Sequence, residues 1–133
     1  MITEDYVSFE TAKLLKEKGF DDEYTNAFYD KTGNLYFIDL LSDLSQHTDN
    51  DTDIAASTLY VAMKWLREVK KMAIEVSINF DIDDDNKWYY EYGFCIFQLS
   101  GTFKKIAECD YDGYKTYEGA CEAAIKYCLE NLI

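Results

Sequence analysis

The clearest pattern along the chain is a strict alternation of apolar and polar side chains in its second half. Alternation with a period of two predicts β-strands that bury one face. Two runs show it, at residues 74–82 and 88–96, on either side of an Asp-rich stretch. The apolar positions are Ile74, Val76, Ile78, Phe80 and Ile82 in the first run, and Trp88, Tyr90, Tyr92, Phe94 and Ile96 in the second.

Turn chemistry predicts how these strands pair. A five-residue turn at 83–87 places Ile82 opposite Trp88 and Phe80 opposite Tyr90, so apolar side chains meet apolar side chains. We therefore expect the apolar side chains of both strands to line one buried sheet face.

A two-residue loop at Ser100-Gly101 extends the meander to a third strand that runs through Tyr111. In this register Cys95 lies opposite Ile106 on the far face of the sheet, whereas Cys109 points to the buried side. A disulfide between the two cysteines is then excluded.

Three segments have the 3.6-residue period of amphipathic helices. The first covers 8–18, with Ser8 as N-cap and Gly19 in the left-handed position after its end. The second covers about 57–71. The last follows Thr116 as N-cap, and its apolar stripe reaches the C-terminus.

The segment between the first two helices begins with a predicted hairpin. Residues 24–29 and 35–38 flank a turn at 30–34. Residues 39–55 are polar and aperiodic and predict a long loop. The complete order is α-β-β-α-β-β-β-α, an α+β fold in which a hairpin and a three-stranded antiparallel meander carry helices on one face. We expect a single domain over residues 1–133.

Composition narrows the class of partner. Thirteen basic and 26 acidic residues give a net charge of −13, which argues against direct binding of nucleic acid. No run of apolar residues is long enough to span a membrane, and the N-terminus lacks the pattern of a signal peptide. We therefore expect a cytoplasmic protein whose four cysteines are reduced.

Two Asp-rich stretches resemble the opening of a calcium loop. Asp81, Asp83 and Asp85 alternate, but Asn86 stands where such a loop needs glycine and Tyr92 where it needs glutamate. Asp49, Asp51 and Asp53 alternate in the same way, but Tyr60 stands where the loop would need its final glutamate. We interpret the first stretch as a solvated turn and the second as a polar loop, and assign no metal ligand.

The sequence predicts no catalytic or cofactor-binding residue. His47 is the only histidine and lies among polar loop residues without an identifiable nucleophile. The cysteines lack the spacing of a zinc site, and the glycines form no nucleotide-binding motif. We interpret the cysteines as small apolar side chains of the core.

The far face of the meander is the best candidate for a partner surface. It combines aromatic and charged side chains, as protein-binding surfaces do. The alternative is that the first hairpin or the long loop covers it. The residues proposed for the surface are Tyr89, Glu91, Phe97, Lys104 and Ile106. A second, basic face on the middle helix could meet an acidic partner or offset neighbouring acids (Lys64, Arg67, Lys70 and Lys71).

Several segments resemble a group of small acidic proteins of unknown function that are widespread in gut anaerobes and in their phages and mobile elements. The segments are Ser8 to Leu15, Asn26 to Asp30, Thr58-Leu59 with Ala62 to Glu68, and the last helix from Tyr117-Glu118 to Leu129-Glu130. The resemblance implies an accessory, phage-linked or mobile-element protein and transfers no catalytic residue. Where this chain has Ser57, the group commonly has proline, a departure that affects only the helix start.

These observations leave several functions open. The first is a non-enzymatic protein-interaction module, one version of which mimics DNA to inhibit a nucleic-acid enzyme. The dense carboxylates at 21–23, 49–53 and 81–85 motivate that version. The alternatives are a carboxylate-metal hydrolase, which needs several aspartates around a divalent ion, and a structural subunit that forms a defined oligomer.

Overall fold

The computed structural model describes residues 4–38, 52–109 and 113–133. They form an α+β fold with two three-stranded antiparallel sheets, as the sequence predicts for the class. In chain order the elements are α1 Phe9–Glu17, β1 Ala27–Tyr29, β2 Leu35–Phe37, β3 Ile54–Ala55, α2 Leu59–Glu68, β4 Met72–Ile82, β5 Trp88–Gln98, β6 Lys104–Glu108, α3 Tyr117–Tyr127 and a π-helical segment Cys128–Leu132.

The chain divides into two compact units, Met1–Ala62 and Met63–Ile133, with the boundary inside α2. The expectation of a single domain stays a prediction. In the first unit α1 packs against β3, and the phenolic hydroxyl of Tyr29 donates to the Val7 carbonyl at 2.7 Å. The apolar residues there that are at most 2% exposed are Val7, Ala12, Leu15, Ala27, Ala56 and Ala62.

Both predicted ends of α1 are confirmed. Ser8 Oγ accepts from the Thr11 N–H at 3.2 Å, which satisfies one of the free donors of the first turn. At the other end Gly19 has φ +97°, and the Phe20 N–H donates to the Leu15 carbonyl at 2.9 Å. This second bond is the long hydrogen bond of a Schellman motif.

The first hairpin is also confirmed, with Tyr29 opposite Leu35. One part of the predicted loop 39–55 is wrong, because Ile54 and Ala55 form β3 and pair with β1. A two-residue strand is too short to show a period, so no hydrophobic pattern indicated it. Thr52 and Asp53 lie in no helix or strand, as predicted, and residues 39–51 of that loop lie outside the described residues.

The second helix is shorter than predicted. It begins at Leu59, after Thr58, whose Oγ1 accepts from the Val61 N–H at 3.2 Å. It ends at Glu68, and Lys71 then adopts φ +59° before β4 starts. A residue in the left-handed region cannot continue a helix, which explains the early end.

The predicted pairing of β4 with β5 is confirmed over its whole length. Ile82 lies opposite Trp88, Phe80 opposite Tyr90, and the register continues unbroken to Met72 and Gln98. The turn between them is the predicted five-residue turn, closed by the Asp83 N–H donating to the Lys87 carbonyl at 2.9 Å.

The predicted pairing of β5 with β6 is wrong. Cys95 lies opposite Glu108 and Ile96 opposite Ala107, and a bulge between Ile96 and Phe97 shifts the register further along. The cause is the loop: β5 ends at Gln98 and β6 begins at Lys104, so five residues connect them instead of two.

In the second unit, α3 packs against β4 and β5. The predicted N-cap is confirmed, since Thr116 Oγ1 accepts from the Gly119 N–H at 2.9 Å. Its apolar stripe continues into the π-helical segment. The core residues of this unit with the least exposure are Leu66, Ile96, Ala120, Cys121, Ala124, Ile125, Cys128 and Leu129.

Candidate interaction surface

The outer half of the β4–β5 hairpin carries large apolar side chains that are open to solvent. We call these five side chains the apolar hairpin face. Their exposed fractions are 72% for Trp88, 64% for Phe80, 56% for Tyr90, 44% for Ile78 and 43% for Ile82. The sequence placed all five in the core. That prediction is wrong for this half of the hairpin, whereas Phe94 and Ile96 are buried as expected.

Element lengths explain why the core stops halfway along the hairpin. Eleven residues of β4 extend about 35 Å, because a strand rises about 3.3 Å per residue. The helix and π-helical segment of residues 117–132 span about 24 Å at a helical rise of about 1.5 Å per residue. A helix of this length cannot cover the whole strand.

Aromatic contacts connect the apolar hairpin face to the packed part of the sheet. The Phe80 and Tyr90 rings lie 6.4 Å apart, and the Tyr90 and Tyr92 rings 5.9 Å apart in an edge-to-face arrangement. Tyr92 then meets Tyr117 of α3 at 6.0 Å. Such contacts stabilise by about 1 kcal/mol each beyond the burial of area, so they hold the exposed rings in place.

The tip of the hairpin is closed by a side chain. Asp83 Oδ1 accepts from the N–H groups of Asp85 and Lys87, both at 2.9 Å, and Asn86 takes φ +62°. Asparagine is one of the few residues besides glycine that adopts this conformation readily. The interpretation of 83–87 as a turn is therefore confirmed.

The apolar hairpin face reaches the size of the largest apolar patches on monomeric proteins. Three rings and two branched aliphatic side chains at these exposures present on the order of 500 Å² of apolar area. The largest apolar patch of a typical monomer falls in the same range and is often functional. No carboxylate lies among these side chains, because the acids of the hairpin occupy the turn and the odd-numbered positions, which face the other way.

Those odd-numbered positions form the reverse face, where a cleft of about 650 Å³ opens. Its walls include the acidic side chains of Asp81, Glu91 and Glu108, together with Tyr89 and Asn79. Gly113 closes one side, and a Cβ at that position would lie 2.6 Å from the Glu91 Cβ. Only glycine fits there without displacing Glu91.

The charged side chains of the reverse face shift the pKa values of nearby groups. The nearby Asp81 carboxylate raises the pKa of Tyr89, because a negative charge disfavours the phenolate. Burial raises the pKa of the Cys95 thiol, an effect that Lys105 partly opposes. Lys105 also donates to Glu108 at 2.8 Å, an exposed ion pair that contributes less than about 1 kcal/mol.

The structure separates the residues proposed for the partner surface. Tyr89, Glu91 and Phe97 lie on the reverse face, since odd positions of β5 share it. Lys104 lies opposite Gln98, and Ile106 occupies the bulge, so Ile106 does not lie opposite Cys95 as predicted. Lys105 and Glu108 take their place opposite Phe97 and Cys95. That the reverse face binds a partner stays a prediction.

The shifted register also corrects the placement of the cysteines. Cys95 and Cys109 both line the cleft, where the sequence predicted opposite sides of the sheet. Cys109 Sγ accepts from the Phe94 N–H at 3.2 Å, and both thiols are free. The raised pKa of Cys95 keeps its thiol protonated near neutral pH, which makes it a poor nucleophile.

The structure describes only some of the remaining candidate residues from the sequence. Among residues 4–38, 52–109 and 113–133, no three His, Cys, Asp or Glu side chains are arranged to hold a metal ion. Asp53 accepts a hydrogen bond from the Tyr36 hydroxyl. His47, Asp49 and Asp51 lie outside the described residues. In the described part of the chain, no helix is long and apolar enough to cross a membrane.

Fold and surface together define an α+β protein whose second unit projects a hairpin with one apolar face and one acidic face. No family model, curated protein or solved structure matches the chain. Sequence reasoning missed the apolar hairpin face because alternation predicts a two-sided strand without saying whether anything covers it. The signal that could have found it was the mismatch between the length of the strands and the length of the helix that follows them.

Proposed function

We propose that the protein is a non-enzymatic interaction module that binds another protein through its apolar hairpin face. The observation that supports this proposal is the exposure of Trp88, Phe80 and Tyr90 side by side on a paired, turn-closed hairpin. Tryptophan and tyrosine are the residues on which binding energy concentrates in protein interfaces. A link to a phage or mobile element, which the sequence resemblance implies, belongs to the same proposal.

Charge suggests the chemistry of the partner. The apolar hairpin face is neutral, but Asp81, Asp83 and Asp85 lie at its tip and on its reverse side. With a net charge of −13 on the chain, a partner that combines apolar anchors with flanking lysine or arginine gains both burial and attraction. Acidic partners would be repelled.

Affinity capture with matched variants tests the proposal. The baits are the wild type, the double variant Trp88→Ser/Tyr90→Ser, and Tyr89→Ser, which removes a tyrosine from the same strand but from the reverse face. We expect one protein to be recovered in fixed stoichiometry from a lysate of the encoding organism by the wild type and by Tyr89→Ser. The double variant should recover at least about tenfold less, since it removes two anchor rings.

Tryptophan fluorescence then tests whether the partner contacts Trp88. The chain has two tryptophans, so Trp65→Phe leaves Trp88 as the only reporter. Addition of the purified partner should shift Trp88 emission to the blue, because the ring leaves water. Two outcomes would count decisively against the proposal. One is that Trp88→Ser/Tyr90→Ser recovers as much of the partner as the wild type does. The other is that binding is weak, has no fixed stoichiometry and is lost at modest salt.

A further inference from the structure

Strand β4 is an open edge of its sheet. The strand order is β4-β5-β6, and among the residues that the structure describes no strand pairs with the outer side of β4. The ladder to β5 uses the odd-numbered residues of β4. It is framed by hydrogen bonds at both ends, where the Leu99 N–H donates to the Lys71 carbonyl at 2.8 Å and the Asp83 N–H donates to the Lys87 carbonyl. The N–H and C=O groups of even-numbered residues therefore point away from β5.

In the part of the chain that the structure describes, this edge has few of the devices that usually protect an edge strand. Natural edge strands are shortened, bulged, or guarded by proline or lysine. β4 has eleven residues and no bulge against β5, and no proline or lysine interrupts its sequence. The N–H and C=O groups that point outward include those of Ile74, Val76, Ile78 and Phe80, and the side chains of these residues are all apolar. At the end of β4 next to the turn, the outward N–H of Ile82 already has an acceptor, because it donates to Asp81 Oδ1 at 2.8 Å.

We propose that β4 pairs with β4 of a second copy of this chain, antiparallel about a two-fold axis at Val76. This register places Ile74 opposite Ile78 and Met72 opposite Phe80 of the other copy, so apolar side chains meet on one face. Glu75 then lies opposite Ser77, and Lys71, just before the strand, comes near Asp81. A shift of the axis to Ile78 would set Glu75 against Asp81, which like-charge repulsion disfavours.

The extent of the pairing is sufficient for a specific dimer. The outward-facing residues Ile74, Val76 and Ile78 of each strand contribute one N–H and one C=O apiece, or up to about six hydrogen bonds across the axis. The pairs of Met72 with Phe80 are not counted, because Met72 is only 5% exposed. Specific protein interfaces have about ten hydrogen bonds, with a spread of about five either way. The result is a continuous six-stranded sheet, and the two apolar hairpin faces lie on the same side of it.

Net charge gives this dimer a characteristic salt dependence. Two chains of charge −13 repel each other, and salt screens that repulsion. Self-association through β4 should therefore strengthen as salt rises. Binding of a basic partner to the apolar hairpin face should weaken under the same change, so the two associations are distinguishable.

Sedimentation of the full chain over a range of concentrations, in about 0.05 M and about 0.5 M NaCl, tests the proposal. We expect a monomer–dimer equilibrium with more dimer at high salt. Ile78→Pro removes one outward N–H and leaves the ladder to β5 intact, because proline is tolerated on the open side of an edge strand. It should raise the dimer dissociation constant at least about tenfold. Ile78→Thr, which retains the N–H, should stay much closer to the wild type.

Two further measurements keep the test decisive if Ile78→Pro folds poorly. Amide exchange of the wild type should show that protection at Val76, Ile78 and Phe80 rises with protein concentration, while Asn79 does not change. The double variant Trp88→Ser/Tyr90→Ser should still dimerise. A monomer at every concentration, or a dimer that Trp88→Ser/Tyr90→Ser abolishes and Ile78→Pro leaves intact, would overturn pairing through β4.

Discussion

At the residue scale, the side chain of Ser57 is a polar group buried in the first unit. Ser57 is 1% exposed, and its Oγ has no hydrogen-bond partner among the residues that the structure describes, although its carbonyl accepts from the Val7 N–H at 3.0 Å. A buried hydroxyl left unsatisfied costs about 1–3 kcal/mol.

We therefore expect Ser57→Ala to raise the free energy of unfolding by about 1 kcal/mol, because it removes the unsatisfied group and little volume. Urea unfolding followed by circular dichroism measures the change. Thr58→Ala is the matched control. It removes a hydroxyl that does accept a hydrogen bond, from the Val61 N–H, so it should destabilise by about 1 kcal/mol instead. A loss of stability in Ser57→Ala would show that the Ser57 hydroxyl is bonded in solution.

At the element scale, the two five-residue turns use the same device. Asp30 Oδ1 accepts from the Thr32 and Asn34 N–H groups, as Asp83 Oδ1 does from those of Asp85 and Lys87. The fourth residue has positive φ in both turns, Gly33 in the first and Asn86 in the second. An aspartate followed three residues later by glycine or asparagine predicts this turn, and here it also sets the strand register on either side.

Asp83→Ala should lower the free energy of unfolding by about 1 kcal/mol, because two backbone N–H groups of the turn lose their acceptor. Asp84→Ala removes the same charge from the same turn, and no hydrogen bond of the Asp84 side chain is found in the described structure. It should be neutral or slightly stabilising through reduced repulsion. Urea unfolding of both variants, with amide exchange at 85–87, separates the effects. Equal losses would assign the role to charge instead of hydrogen bonding.

The same elements show how far the sequence determines this fold. The pairing of β4 with β5 was predictable because a strict alternation and a recognisable turn agree on one register. The pairing of β5 with β6 was not, since Ser100-Gly101 suggests a tight turn but the loop runs to five residues and a bulge follows. A bulge leaves no local signal in a single sequence, and it moved Lys104 and Ile106 away from their predicted face.

At the scale of the whole molecule, the exposure of a side chain depends on whether another element covers its face of the sheet. The alternation of apolar and polar residues along a strand does not contain that information. Trp88 and Phe94 follow one alternation on one strand, yet Trp88 is open to solvent and Phe94 is buried beside Tyr127. Partner binding by the reverse face, which the sequence favoured, stays a prediction, whereas our proposal concerns the opposite face of the same hairpin.

The single-domain prediction is also a statement about the whole molecule, and the helix caps test it. Ser8 caps a helix in the first unit and Thr116 one in the second. Loss of either cap costs about 1 kcal/mol, which shifts the melting temperature of a chain of this size by about 4 °C. If the chain unfolds as one cooperative domain, calorimetry should show a single transition that Ser8→Ala and Thr116→Ala each lower. Ser8→Asp and Thr116→Asp, which restore a capping oxygen, should melt close to the wild type. Two transitions, each sensitive to only one of the caps, would instead assign Met1–Ala62 and Met63–Ile133 to separate domains.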